Sequence, residues 1–501
     1  MTRCRFRWAI CQLDTLRRCF PASIQRVLNE LPMTLDETYE RILLGIDREK
    51  REHAIRLLKC LAFSRRPLRV KELAEVLAVR FGTTIPMLDP SLRPRDADEA
   101  VLSACSTLVT TIGLDDCDHN DDDYPQNSRV VQFTHYSVKE YLTSSRLAES
   151  DKRDLSQYYI SPEPAHTTLA QSCIGTLLQS DHIGDITDNF PLAKYAAQNW
   201  FHHAQCDGVA SQILDGMEHL FDTNKKHFAT WISIHDIDGR LNRGPSTKTK
   251  ASPLYYAALC GVVSLVEHLV VTRQQDPNEC RGSQGTPLHA AVVSGHTAIV
   301  RFLLEHTAEV NSRDMDVAVR SGNLDITQLL LGHGADVNAV DSLGDSVLHK
   351  AVQSQNRDVV ELLLKSGAHV NVQNRYNPNP LYEAMDSGNL DITQLLLKHG
   401  ADVNILSHQG CSPLHKAVRS QKLDFVEHLL KSGADVNSRN LHSTTLLHDA
   451  VGGGNIDTIK ILLHHGADVN ALDYLRDSPL HKVLQIQSPS LVNFPINTIN
   501  I

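Results

Sequence analysis

Histidine is the residue type in this chain best suited to metal ligation or acid–base catalysis, and the sequence holds 26 histidines. Five share one position of a recurring pattern: His289, His349, His415, His448 and His481. A position that recurs with the pattern indicates a structural hydrogen bond, made once in each unit. The pairs His202-His203 and His464-His465 are adjacent, whereas two ligands on one helix face need the i, i+4 spacing. We therefore predict no metal site from the histidines.

Other motifs that could support chemistry are incomplete. Cys4, Cys11 and Cys19 lack the spacing of a zinc site. The acidic stretch 115–123 lacks the alternating ligands, central glycine and closing glutamate of an EF-hand, so it is predicted to be a solvated loop. The sequence contains neither a G-x-x-x-x-G-K-[ST] loop nor a G-x-S-x-G elbow. We therefore predict no enzymatic activity, no cofactor and no nucleotide binding.

Composition and charge narrow the class of protein further. The chain has 501 residues, 42% hydrophobic and 22% charged, as in soluble globular proteins with about three domains. A net charge of −10 argues against nucleic acid or anionic membranes as partners. No apolar run approaches the ~18 residues of a membrane span. Eleven cysteines without a C-x-x-C pair indicate reduced thiols, which predicts a cytoplasmic or a nuclear chain.

A regular repeat organises the second half of the chain. The run Gly334-Ala335-Asp336-Val337-Asn338 returns with small changes at steps of 33 residues as far as Gly466. A second marker, Ser412-Pro413-Leu414-His415, also returns, and its serine and proline are typical of a helix start. The glycine of the first marker is typical of a helix end. Each unit is therefore predicted to be helix, turn, helix and extended loop, stacked on its neighbours.

These markers resemble those of the ankyrin repeat family over about residues 251–485. The resemblance implies antiparallel helix pairs, joined by β-hairpin fingers and stacked into a curved array. Repeat three is short, because Asn311 and Asn338 are 27 residues apart instead of 33. We predict that this joint, near residues 312–320, is the softest of the array, since neighbour contacts set stability in such proteins.

The residues before the array resemble a different family. Residues 6–13 and 31–43 resemble the tail of fungal NACHT-type signalling ATPases, and residues 133–142 resemble the winged-helix domain, also named from inositol deacylases, that follows NACHT modules. The predicted fold is mainly α: a winged-helix α+β domain and a helical connector, followed by an ankyrin-repeat solenoid. The expected domains are a helical tail (1–50), a winged helix (51–148), a connector (149–247) and the repeats (248–501).

A winged helix also invites a DNA-binding interpretation. The third helix expected in 51–148 carries Asp96, Asp98 and Glu99, which phosphates would repel, so this interpretation is disfavoured. In the resembled family a nucleotide-binding core precedes these helices, and the sequence leaves open whether such a core precedes Met1. Residues 485–501 lack a second-helix pattern, so the last repeat is expected to expose apolar surface and to self-associate.

The function implied by the resemblance is protein binding. Ankyrin arrays typically bind partners through finger tips and inner helices, and aromatic, arginine and apolar residues suit an interface. Mapped onto this sequence, the tip residues are Leu343, Arg375, Tyr376, His408, Gln409, Leu441, His442, Tyr474 and Leu475. The inner-helix residues are Lys350, Glu383, Lys416, Arg419 and Asp449. The alternative is the C-terminal part of a NACHT signalling NTPase whose P-loop core lies upstream of this chain.

Overall fold

The computed structural model describes residues 34–113, 129–179, 189–241, 251–280, 282, 285–375, 379–407 and 409–486. These residues are mainly helical, and the chain divides into two compact units, Met1–Pro287 and Leu288–Ile501. None of the described helices combines the length and the apolarity that crossing a lipid bilayer requires. The segment 6–13 and the acidic loop 115–123 lie outside the described residues.

The first unit begins with helices and short strands that alternate along the chain. Its helices up to residue 148 are α1 (Leu35–Leu44), α2 (Arg51–Phe63), α3 (Val70–Glu75), α4 (Ala97–Cys105), α5 (Tyr136–Leu142) and α6 (Ser145–Ala148). Its strands are β1 (Leu68–Arg69), β2 (Val79–Arg80), β3 (Met87–Leu88), β4 (Val109–Gly113) and β5 (Arg129–Phe133). Short 3₁₀ turns occupy Arg48–Lys50, Val76–Ala78, Pro90–Leu92 and Ser106–Leu108.

Three of these strands form an antiparallel sheet in the order β1–β5–β4. Val131 of the central strand lies opposite Leu68 on one side and Thr111 on the other, and it is buried. Asp98 of α4 forms an ion pair with Arg129 of β5 at 2.8 Å. One acidic residue of this helix therefore pairs with a basic residue of the same unit. The helix expected over the acidic residues Asp98 and Glu99 is present as α4.

The rest of the first unit is helical and packs around two tryptophans. Its helices are α7 (Arg153–Ser156), α8 (Pro162–Leu177), α9 (Ala193–Ala204), α10 (Val209–Gln212), α11 (Leu214–Leu220), α12 (His227–Ile234), α13 (Ile237–Leu241), α14 (Pro253–Cys260) and α15 (Val263–Glu267), which continues as a π-helix over His268–Thr272. Trp200 and Trp231 are fully buried, and their rings meet edge to face at 5.5 Å. Both tryptophans therefore belong to the core of this unit.

The second unit is a succession of helix pairs. Its helices are α16 (Pro287–Val293), α17 (Thr297–Glu305), α18 (Ser312–Arg320), α19 (Leu324–Gly332), α20 (Val347–Gln353), α21 (Arg357–Lys365), α22 (Pro380–Ser387), α23 (Leu390–Lys398), α24 (Pro413–Arg419), α25 (Leu423–Lys431), α26 (Leu446–Gly453), α27 (Ile456–His464) and α28 (Pro479–Ile486). Helices at equivalent positions of successive repeats contact one another, as α20 contacts α22 and α24 contacts α26. The predicted stack of repeats is confirmed.

The recurring histidines help to cap the N-terminus of the first helix in their repeats. His415 N–H donates to Ser412 Oγ, and His415 Nδ1 accepts the backbone N–H of Ser412 at 3.2 Å. The same reciprocal cap occurs in three other repeats, at Ser346/His349, Thr445/His448 and Ser478/His481. Burial lowers the pKa of His349 and His415, which keeps Nδ1 free to accept. The predicted structural role is confirmed for these residues.

Four asparagines join each repeat to the next: Asn338, Asn371, Asn404 and Asn437. Each side-chain amide donates to a glycine carbonyl of the following repeat at 3.1 to 3.3 Å. Each also accepts a backbone N–H from that repeat at 2.8 Å. We call this set the asparagine ladder. It fixes the 33-residue step, because both bonds need the same offset between neighbouring repeats.

Repeat three is built differently. Asn311, the asparagine that ends the preceding repeat, caps α18 by accepting the N–H groups of Arg313 and Asp314 at 2.9 and 3.2 Å, instead of continuing the ladder within the described residues. The carboxylate of the fully buried Asp314 accepts the backbone N–H of Asn311 and lies 2.7 Å from His289 Nδ1. The missing six residues are thus replaced by a local cap.

Hydrogen exchange should show the consequence of this shortened joint. We expect amides of α18 to exchange faster than those of α20, α22 and α24, because ladder bonds join the repeat of α18 only to the following repeat, whereas they join the repeats of the other three helices to both neighbours. Peptide-level exchange followed by mass spectrometry measures all four helices in one sample. Slower exchange in α18 than in the other three would contradict the prediction.

Candidate protein-binding surface

Four finger tips of the array are each held by one polar side chain at a fixed repeat position. Asp473 accepts the N–H groups of residues 475 and 477 at 2.9 and 3.0 Å. Asn440 accepts those of residues 442 and 444 at 2.9 and 3.1 Å. Asp341 and Ser407 make the same pair of bonds in their repeats. These Asx-type turns hold the tip backbone in one conformation.

Neighbouring tips are also joined to one another through their backbones. Arg375 N–H donates to the Leu343 carbonyl at 3.2 Å, and Leu441 N–H donates to the Gln409 carbonyl at 3.4 Å. Tyr474 N–H donates to the His442 carbonyl at 3.2 Å. These bonds join two tips at Leu343 and Arg375 and three tips at Gln409, Leu441 and Tyr474, so the side chains within each row keep a fixed spacing.

The side chains at the end of this row are exposed and largely apolar. Leu441 is 71% exposed, Tyr474 65% and Leu475 60%. The His442 ring lies 5.9 Å from the Tyr474 ring. We call Leu441, His442, Tyr474 and Leu475 the tip patch. Exposed apolar groups on a rigid backbone are what an interface core requires.

The other predicted tip residues divide into two groups. Leu343, Arg375 and Gln409 are exposed, Leu343 less so than the tip patch. Tyr376 and His408 lie outside the described residues. Three exposed apolar residues that were not predicted lie beside the tips: Val340, Leu406 and Leu472. Each directly precedes a tip-closing residue, so the 33-residue period would have identified them.

The inner-helix residues carry charges that alternate along the array. One position of the inner helix is occupied in successive repeats by Lys350, Glu383, Lys416, Asp449 and Lys482. Arg419 binds Asp449 of the next repeat with two nitrogens, at 2.8 and 3.4 Å. Lys416 pairs with Asp386 and lies over the Tyr382 ring, 5.3 Å from its centroid. Lys416 and Arg419 remain partly exposed and can still meet a partner.

Lys350 departs from the prediction. Its side chain is only 6% exposed, and its ammonium lies 2.7 Å from both Asp341 and Asp345. Burial alone would raise the pKa of Asp345, but hydrogen bonds from Lys350 and Asn374 outweigh burial and lower it. The structure thus assigns Lys350 to the array's own packing, and we remove it from the surface predicted to contact a partner.

Metal ligation finds no support in the residues that the structure describes. Within them, no group of three or more histidine, cysteine or acidic side chains is placed to hold an ion. The described cysteines are free thiols, and burial raises the pKa of Cys60 and Cys105 to about 12. Thiols held in the neutral form are poor nucleophiles and poor metal ligands.

Comparison with known proteins identifies the repeats. A family model described as "Ankyrin repeats (3 copies)" matches residues 209–314, 315–407, 370–440 and 404–473, which together cover slightly more than half of the chain. The crystal structure of the ankyrin repeat domain of Bcl-3, described as a unique member of the IkappaB protein family, is 28% identical. It covers 43% of this chain and 100% of its own, with a TM-score of 0.40.

Two curated relatives are also similar in sequence. An azaphilone pigments biosynthesis cluster protein L of Monascus ruber is 30% identical over 301 residues, 56% of this chain and 61% of the relative. Alpha-latrocrustotoxin-Lt1a of Latrodectus tredecimguttatus is 34% identical over 83 residues, 16% of this chain and 6% of the toxin. The chain thus spans less than two thirds of either relative. With more than half of its length matched by the repeat model, the chain belongs to the ankyrin repeat family.

Proposed function

We propose that this chain is a protein-binding scaffold that holds its partner with the tip patch and the exposed inner-helix residues Lys416 and Arg419. The observation that carries the proposal is the row of joined tips, which presents Leu441, Tyr474 and Leu475 largely to solvent. Aromatic and apolar anchors on a rigid backbone lose little conformational entropy on binding. Cationic residues beside them suit a partner that carries acidic residues around an apolar contact.

Substitution of the tip patch tests this proposal. We expect Leu441→Ala with Tyr474→Ala to weaken a captured partner about 100-fold, since truncation of a central anchor commonly costs tenfold or more. Partners are captured by proximity labelling with the full chain, and affinity is then measured with the purified partner. Unchanged affinity in the double variant would overturn the tip assignment.

A matched control separates binding from general loss of apolar surface. Met87 and Val271 are 54% and 60% exposed, and both lie in the first unit. Met87→Ala with Val271→Ala should leave affinity for the partner unchanged. Neither pair of substitutions should change the helical signal, because the four side chains are mostly in water.

A second candidate function is the C-terminal part of a NACHT-type signalling protein of fungal origin, with a winged helix over 51–148. The order α2, β1, α3, α4, β4, β5, with β1 beside β5, supports a winged helix. The Monascus ruber relative supports a fungal source. Reading the genomic sequence upstream of Met1 for a P-loop distinguishes the two functions, and nucleotide binding by this 501-residue chain would contradict the first.

Two further assignments remain proposals. We place the chain in the cytoplasm or nucleus on the basis of its cysteine pattern. We also propose self-association through α28, where Leu480 is 47% and Leu484 63% exposed.

A further inference from the structure

A cleft lies between two helices of the first unit, which holds none of the residues discussed so far as a binding surface. It has a volume of about 340 Å³, within the lower range of small-molecule sites. One wall is the face of α2 formed by residues 52, 55, 56 and 59, and the other is the face of α8 formed by 164, 167, 168 and 171. Both sets have the i, i+3, i+4, i+7 spacing of one helix face.

The cleft contains a cation with no counter-charge. Lys59 is half-buried, and no hydrogen bond or ion pair to it occurs among the described residues. Burial lowers the pKa of this ammonium, and the neighbouring Arg56 adds to the effect. Arg56 is itself neutralised by Glu52 at 2.9 Å and lies over the Phe81 ring at 4.3 Å. Lys59 is thus a partly buried cation without an ion-pair partner, which lowers the stability of the fold. A bound anion would offset this loss of stability.

We propose that this cleft binds a small organic anion, whose carboxylate or phosphate group pairs with the ammonium of Lys59. Ile55 and Pro164 line the same space and contact the apolar part of that molecule. The site lies in the first unit and does not depend on the protein-binding function of the array.

Titration of the full chain with matched probes tests this site. Phenyl phosphate and benzoate are the anionic probes, inorganic phosphate tests the headgroup alone, and benzyl alcohol is the neutral control. We expect an anionic probe to bind by calorimetry and to raise the unfolding temperature reported by tryptophan fluorescence. All three tryptophans of the chain, Trp8, Trp200 and Trp231, lie in the first unit, so this signal reports on the unit that holds the cleft.

Lys59→Met keeps the length and the apolar stem of the side chain while removing its charge. We expect this variant to bind the anionic probe at least tenfold more weakly. Its unfolding temperature without a probe should be unchanged or higher, because an unpaired cation is removed. The control Lys71→Met, at an exposed lysine of α3, should bind as the parent chain does. Absence of binding by either anion at millimolar concentration, or equal binding by Lys59→Met, would refute the site. Tighter binding of phenyl phosphate than of benzoate assigns it to phosphate esters, and the reverse to carboxylates.

Discussion

Replacing Lys350 by methionine is expected to destabilise the array by about 3 kcal/mol, near the lower end for removing one partner of a buried ion pair. The variant leaves Asp345, whose side chain is 8% exposed, without a counter-charge. Asp341 is 34% exposed and can recover water, which keeps the cost from rising further. Hydrogen exchange of peptides from Leu288–Ile501 measures the loss, because tryptophan fluorescence does not report on this unit.

Lys416→Met is the matched control, since Lys416 occupies the same repeat position 66 residues later. Its partner Asp386 is half exposed, so the expected cost is below about 1 kcal/mol. The double variant Lys350→Met, Asp345→Asn should recover part of the loss, because it removes the buried carboxylate that the single variant leaves unpaired. Equal costs at Lys350 and Lys416 would show that burial of the first pair does not matter.

The different roles of these two lysines show where the sequence prediction stopped. A helix position was enough to predict that both lie on the inner face of the array. The burial of each lysine depends on the residues nine and five positions earlier. These residues are Asp341 and Asp345 for Lys350, but Ser407 and Cys411 for Lys416. Two carboxylates hold the Lys350 ammonium inward, so part of the signal was present in the sequence. This signal can be recognised only once the folded structure shows that these earlier positions lie beside the lysine.

The repeats themselves were predictable because every contact that defines them is local or separated by one period. The caps at Ser346/His349 and the ladder bond from Asn338 to residue 369 both lie within 33 residues along the chain. The cleft at Lys59 was not predictable in this way. Its two walls are more than 100 residues apart, and neither face carries a recognisable motif.

A buried chain of polar groups in the first unit was also missed. The backbone N–H of Arg65 donates to the Tyr195 hydroxyl at 3.2 Å. That hydroxyl lies 2.9 Å from His203 Nε2, and His203 Nδ1 lies 2.9 Å from His166 Nδ1. The adjacent histidines His202-His203 lack the spacing of a metal pair, and their sequence gives no sign of this chain. We infer that Tyr195 donates to Nε2 and His203 donates through Nδ1, an order that requires a neutral imidazole.

This arrangement makes the first unit sensitive to acid. His203 is fully buried, and burial together with His166 lowers its pKa to about 3. The unfolded chain has the ordinary histidine pKa near 6.5, so between pH 6.5 and 3 it binds a proton that the folded chain does not. Stability must therefore fall as the pH falls through this window, by about 1.4 kcal/mol per pH unit from this group. The buried Glu75, whose pKa is raised, acts in the opposite sense.

We expect urea unfolding followed by tryptophan fluorescence to show a loss of about 2 to 3 kcal/mol from His203 between pH 6.5 and 4.5. His203→Gln cannot take up this proton, so the variant should be less stable at pH 7 but lose about 1.4 kcal/mol less for each pH unit. Other titrating groups, Glu75 included, contribute equally to both chains and cancel in the difference. His53→Gln, at an exposed histidine of α2, should keep the steep dependence of the parent chain. If the parent and His203→Gln lose stability at the same rate, protonation of His203 is not what acid acts on.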